Sequence, residues 1–169
     1  MNNIPIETER KFLIRIPLLD ELKHQNNFRI RCITQTYLKT DEKKNARVRK
    51  VIENGTVSYI KTVKARISTL SCYEDEHTIS FEEYESLLTN ADREKNTIHK
   101  TRYSFEYLGH ILEIDIYDFW NDRATLEIEL SSEDEAFSIP SFIDVIKEIS
   151  ADGRYKNTNL AKNVPFDEI

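Results

Sequence analysis

The sequence predicts an α+β fold dominated by a largely antiparallel sheet, either open or closed into a barrel. Three observations predict it. Apolar and polar residues alternate with a period of two along most of the 169 residues. Asn54-Gly55 lies between two such runs, the strongest short-range sign of a hairpin. Successive runs are mostly joined by short turns, whereas parallel strands need long crossovers.

The elements follow in order. Residues 4–16 read as a strand with Ile6, Phe12, Ile14 and Ile16 on its apolar side. Pro17 stops it, and 18–24 can form a short helix. Residues 28–39 read as the second strand, and 46–52 and 57–66 flank Glu53-Asn54-Gly55-Thr56 as a hairpin. A less regular fifth strand spans 70–80. Ser80 with Glu83 forms a capping box for a helix over 81–91, whose Phe81, Tyr84, Leu87 and Leu88 share one face. Residues 99–108 and 110–117 flank Gly109 as a second hairpin, and 124–130 read as the eighth strand. Residues 138–150 look helical, with Ile139, Phe142, Ile143 and Ile146 on one side, and 158–162 add a last helical turn.

Composition removes several function classes. The length favours one domain, 1–169, large enough to bury a core without disulfides or a structural metal. Gly55, Gly109 and Gly153 are the three glycines and stand far apart, so no glycine-rich phosphate loop exists. Cys32 and Cys72 cannot build a cysteine-rich zinc site, and the four histidines lack metal-binding spacing. No apolar run approaches the roughly 20 residues of a membrane span. Residues 1–5 show no basic region followed by an apolar stretch, so no secretory signal is expected and a cytoplasmic protein is the simplest reading. The net charge of −6 argues against non-specific nucleic-acid binding, and a homodimer stays open.

The chemical signal is a series of charged residues two apart, strand after strand. Residues i and i+2 share a face of a strand. In order, these faces carry Glu7, Glu9 and Lys11; Arg47 and Arg49; Thr62 and Lys64; Glu74 and Glu76; Lys100 and Arg102; Glu113 and Asp115; Glu127 and Glu129. Alternation of apolar and charged residues is what any half-exposed sheet shows. Two features set these strands apart. Asp, Glu and Lys are depleted in strands, yet most strands here carry a same-charge pair that repels unless an opposite charge lies between. Moreover, some strands present only cations and others only anions. A multiply charged phosphate with divalent metal ions satisfies both sets, because cations take phosphate oxygens and carboxylates take the metal.

The same residues resemble the motifs of the CYTH superfamily, the triphosphate tunnel metalloenzymes. Glu7-Thr8-Glu9-Arg10-Lys11 resembles its ExExK signature, Arg47-Val48-Arg49 its RxR, Thr62-Val63-Lys64 its TxK and Lys100-Thr101-Arg102-Tyr103 its KxRY. Glu113-Ile114-Asp115-Ile116-Tyr117 resembles its ExDxY, and Glu127-Ile128-Glu129 its late ExE. Asp152-Gly153-Arg154-Tyr155-Lys156-Asn157 is similar to the DxRYxN segment of bacterial members. One departure is that Ser71, Cys72 and Tyr73 precede Glu74, where many bacterial members carry an arginine.

The resemblance implies an eight-stranded antiparallel closed β-barrel with a charged tunnel, flanked by helices. It implies that Lys11, Arg47, Arg49, Lys64, Lys100, Arg102 and Arg154 bind a triphosphate. Glu7, Glu9, Glu113, Asp115, Glu127 and Glu129 are then expected at Mg²⁺ or Mn²⁺, with Glu9, Lys11, Glu127 and Glu129 carrying catalysis. The implied activity is hydrolysis of the terminal phosphate of inorganic triphosphate or of an organic triphosphate. The alternatives are a class IV-type adenylate cyclase, which shares the fold, a non-catalytic polyphosphate-binding module, and a sheet protein with solvated charged faces.

Overall fold

The computed structural model describes residues 5–40 and 44–169, so the expected strand start at Ile4 lies outside the described residues. Nine strands form one antiparallel sheet: β1 (Ile6–Arg15), β2 (Asn26–Leu38), β3 (Asn45–Glu53), β4 (Thr56–Arg66), β5 (Ser71–Ile79), β6 (Ile98–Tyr107), β7 (His110–Tyr117), β8 (Arg123–Leu130) and β9 (Val145–Glu148). The helices are α1 (Leu19–Leu22), α2 (Phe81–Leu88) and α3 (Asn157–Leu160), with a 3₁₀ turn at Gly153–Tyr155. Among the described residues, no helix is long and apolar enough to cross a membrane.

The sheet closes on itself. The order β5-β4-β3-β2-β6-β7-β8-β1 returns to its start because β1 also pairs with β5, which makes an eight-stranded barrel. Both hairpins expected from Asn54-Gly55 and Gly109 are present. Asn54 and Gly55 both take positive φ, 50° and 77°, as a tight two-residue turn between right-twisted strands requires.

The closure is short. Only Ile6, Glu7 and Thr8 of β1 face partners on β5, ending at Thr8 opposite Ser71. Beyond that point the free edge of β1 must find other partners for its backbone groups. The chain from Val145 supplies them, pairing at Phe12, Leu13 and Ile14 as β9. The helix expected over 138–150 therefore does not form. Pro140 removes a backbone donor, a turn closes from Ile143 N–H to Pro140 C=O at 3.0 Å, and the remainder joins the sheet. Its apolar residues keep their burial by other means. Ile139, Phe142 and Ile143 pack on the outer face of the barrel with Phe12, Leu126 and Ile128, while Ile146 joins a different cluster.

Two apolar layers clothe the barrel outside. The outward residues of β1, β6, β7 and β8 form the larger. Leu38, Ala46, Val48 and Ile79 form the smaller, covered by Tyr84 of α2. The Ser80 side chain caps α2 by accepting from Glu83 N–H at 3.1 Å. A third cluster lies within. Leu13, Tyr37, Ile98 and Tyr117 share the inward face with the charged residues and pack with Trp120, Ile149, Tyr155 and Leu160, plugging that end of the interior.

Candidate active site

Strand register brings the charged pairs together. Across β1 and β8, Glu9 lies opposite Glu129 and Lys11 opposite Glu127. Glu127 in turn lies opposite Glu113 of β7, and Asp115 opposite Arg102 of β6. On the other side, Arg47 and Arg49 of β3 are neighbours of Thr62 and Ile60, and Lys64 lies opposite Glu74 of β5. Paired residues share a face, so every charged pair read from the sequence on these strands turns to the barrel interior. Glu74 and Glu76 turn inward too, as does Cys72 between Ser71 and Tyr73.

The acids and cations interlock. Lys11 Nζ is 2.8 Å from a Glu127 oxygen. Arg102 is a hub: it donates to both oxygens of Asp115 at 2.6 and 2.7 Å, to Glu127 at 2.8 Å and to Glu113. Lys100 Nζ reaches Asp115 at 2.5 Å. Lys64 bridges Glu7 and Glu74, the latter at 2.8 Å, and Arg49 pairs with Glu76. Such pairing offsets a desolvation cost of several kcal/mol per buried ion.

Two cavities open into this network. One, of about 740 Å³, is lined by Glu9, Lys11, Arg47 and Lys64 and widens to Arg66 and Lys156 beside the short β1–β5 seam. The other, of about 470 Å³, is lined by Glu7, Arg31, Arg49, Arg102, Glu113 and Glu129. Arg47 lines both. Lys100 and Asp115 line neither. Their side chains are 1% and 0% exposed and stand behind the wall, where they hold Arg102.

The network leaves specific groups without partners. Among the described residues, no cation lies within ion-pair distance of the Glu9 or Glu129 carboxylates, although the two face each other across the ladder. Burial, reinforced by Glu127, pushes the Glu9 carboxyl up to about 7, and burial with Glu113 raises that of Glu129. Arg47 and Arg49 are only partly satisfied. Each has a buried Nε without a partner, Glu74 stays 4.0 Å from Arg47, and Arg49 reaches Glu76 through one nitrogen only. Burial and then the neighbouring Arg47 pull the Arg49 guanidinium down to about 10. The opposite holds inside the interlocked set. Despite burial, Lys11 and Arg102 hold Glu127 well below the usual carboxylate range. Lys100 is the exception within the set: burial and Arg102 pull its ammonium down to about 7 despite Asp115.

These groups define what the interior can accept: a cation at Glu9 and Glu129, and an anion against Arg47 and the free edge of Arg49. The donors suit a hard divalent ion, since they are carboxylate oxygens. Glu7, Cys72 and Glu74 form a second group with ligand atoms within 4.8 Å of one another. There Lys64 already sits against both carboxylates, and burial pushes the Cys72 thiol, 3.4 Å from Glu7, up to about 11.

Lys100 and Asp115, expected at the triphosphate and the metal, are instead sealed behind the wall, and Arg154 is the expected ligand that the fold turns away altogether. Its side chain is 55% exposed and turned away to Asp152 at 2.7 Å and Asp167 at 3.0 Å. The 3₁₀ turn at Gly153–Tyr155 aims Tyr155 into the plug instead and leaves Arg154 facing outward. Sequence reading missed Arg31, which pairs with Glu113 at 2.7 Å from the inward face of β2. Its signal was available in the alternation Arg31, Ile33, Gln35, Tyr37, but only one member is charged.

The comparisons agree with this geometry. A family model described as the CYTH domain matches residues 5–160. An inorganic triphosphatase from Acetivibrio thermocellus is 32% identical over 158 residues, covering 93% of this chain and 94% of that protein. The crystal structure of the inorganic triphosphatase NE1496 superimposes with a TM-score of 0.59 at 28% identity, covering 94% of this chain and 96% of that one. The PH1819 protein from Pyrococcus horikoshii OT3 shares the fold, with a TM-score of 0.59 at 17% identity over 76% of this chain and 80% of that one.

Proposed function

This chain belongs to the CYTH domain family, and from that premise we propose that it is a metal-dependent triphosphatase acting inside the barrel. The reaction is hydrolysis of the terminal phosphate of inorganic triphosphate or an organic triphosphate, giving phosphate and a diphosphate. The observation that carries the reading is that two adjoining cavities joined at Arg47 hold unpaired acid at Glu9 and Glu129 beside the incompletely paired cations Arg47 and Arg49. A pure anion binder gains nothing from bare carboxylates beside its ligand. The 32% identical relative is named for the same activity.

The residues divide the work. Arg47 and Arg49 take phosphate oxygens through guanidinium forks, and Lys64 and Lys11 act as point charges along the same line. Glu9 and Glu129, with Glu7 and Glu127 beside them, hold Mg²⁺ or Mn²⁺. When bound, that ion neutralises phosphate charge and lowers the pKa of water. Glu113, Asp115 and Lys100 keep Arg102 in place, so its charge is oriented before substrate arrives. That preorganisation matters because phosphoryl transfer relies on positioning and electrostatic stabilisation. The partner is a small molecule in a cytoplasmic setting, with no nucleic-acid or membrane ligand.

The test is phosphate release from inorganic triphosphate, thiamine triphosphate and ATP, each with Mg²⁺, Mn²⁺ or a chelator. Metal-dependent release of phosphate is expected. Pyrophosphate and cyclic AMP from ATP indicate a cyclase instead, and chelator-insensitive binding without turnover indicates a binding module.

A further inference from the structure

We propose that Lys156 and Arg66 form an additional phosphate-binding subsite at the seam mouth, outside the strand motifs, which grips one end of the triphosphate. The proposal rests on the triphosphatase reading and adds two residues to it. The two cations come from unrelated places, the end of β4 and the turn before α3, yet both line the 740 Å³ cavity together with Lys11, Arg47 and Lys64. Along β4, Arg66 follows Lys64 on the same face one step of about 6.6 Å further out. The row of charge therefore continues from the interior to the mouth.

Neither cation is matched by an acid. Among the described residues, no carboxylate lies within ion-pair distance of Lys156 or Arg66. Arg66 donates only to the neutral carbonyls of Ser68 and Thr69, at 3.1 and 3.3 Å. Of the acids that share their cavity, Glu127 pairs with Lys11 and Glu94 with Lys162 at 3.6 Å, while Glu9 lies within ion-pair distance of neither Lys156 nor Arg66 among the described residues. Burial and then the repulsion of Arg66 lower the Lys156 ammonium below its ordinary value, consistent with two like charges sharing one space. Arg154, two residues earlier, is neutralised by Asp152 and Asp167. The C-terminal segment thus offers the cavity Lys156, not Arg154.

A cation that contacts substrate and transition state alike changes binding more than turnover. Lys156→Met and Arg66→Met are expected to raise KM for inorganic triphosphate about tenfold each, the scale of one charge-assisted hydrogen bond, with kcat changing far less. Lys156→Arg keeps the charge and restores most of the affinity. Lys50→Met removes the same charge from the outer face of β3 and leaves KM as in the wild type. Calorimetric titration of inorganic triphosphate in the presence of a chelator reads the subsite without turnover, and weakening by a similar factor is expected there. The subsite is overturned if Lys156→Met binds triphosphate like the wild type, or if Lys50→Met weakens binding equally. A wild type that binds triphosphate without hydrolysing it removes the triphosphatase reading, while the titration still decides the subsite.

Discussion

Glu9 and Glu129 illustrate how one residue's chemistry depends on what the register sets opposite it. Directly opposed like charges destabilise a strand pair, and among the described residues neither carboxylate has a cation within ion-pair distance. Replacing either by glutamine removes a proposed ligand of the metal, so turnover is expected to drop by about 10²–10³-fold, the scale of losing one group that stabilises developing charge. Thermal unfolding of both variants should stay at or above that of the wild type, since a repulsion is removed. Wild-type turnover in both variants would discard the assignment. Glu9 also sets a pH dependence. Its carboxyl holds a proton up to about 7 when folded and releases it near 4.5 when unfolded. Its contribution to stability therefore declines as pH rises across that window, because the folded form binds more protons there. Metal binding needs the ionised form, so at limiting Mg²⁺ activity should climb through pH 7 and then level off. A profile flat between pH 6 and 8 would contradict this.

At the scale of elements, β1 organises the site. One edge pairs with β8 along its length, and the other is divided between β5 and β9. Ser71, Cys72, Ile149 and Ser150, from the segments that flank this division, line the larger cavity. Elements remote from the seam should affect stability alone. Ser80→Ala deletes the cap of α2 and is expected to cost about 1 kcal/mol in chemical denaturation with kcat/KM unchanged. By contrast, Lys100→Met strips Asp115 of a fully buried partner. Asp115 keeps its two hydrogen bonds from Arg102 but loses a buried partner, and Arg102 loses part of its support, so both stability and turnover should fall.

The whole molecule is a barrel with polar filling, inverted relative to an ordinary core. Its apolar packing lies on the outside of the sheet, under α2 and under the segment 131–144, and at the plug. The interior carries charge that the proposed triphosphate and metal would complete. Ligand should therefore stabilise the fold by mass action. Inorganic triphosphate with Mg²⁺ at a hundredfold its Kd is expected to add about 2.7 kcal/mol to the unfolding free energy. In a thermal scan, triphosphate alone and Mg²⁺ alone should each shift the midpoint less than both together. Equal shifts with either alone would mean that the two do not share one site.

Much of this was legible in one dimension. Period-two alternation, Asn54-Gly55 and the Ser80 cap depend on neighbouring residues, so they announced the strands, a hairpin and α2 directly. The same alternation sorted the charged residues onto one face of each strand, and the resemblance carried the pairs into a shared enclosure. Residues 138–150 misled because Ile139, Phe142, Ile143 and Ile146 satisfy helical spacing while serving two clusters in an extended chain. The unpaired edge of β1 recruits that chain, and an edge exists only once the sheet has closed. The pairing of Glu9 with Glu129, the turning out of Arg154 and the arrival of Lys156 beside Arg66 were likewise settled in three dimensions. Register and the path of the C-terminal segment are long-range outcomes of packing, and no local pattern encodes which distant charge comes to lie opposite which.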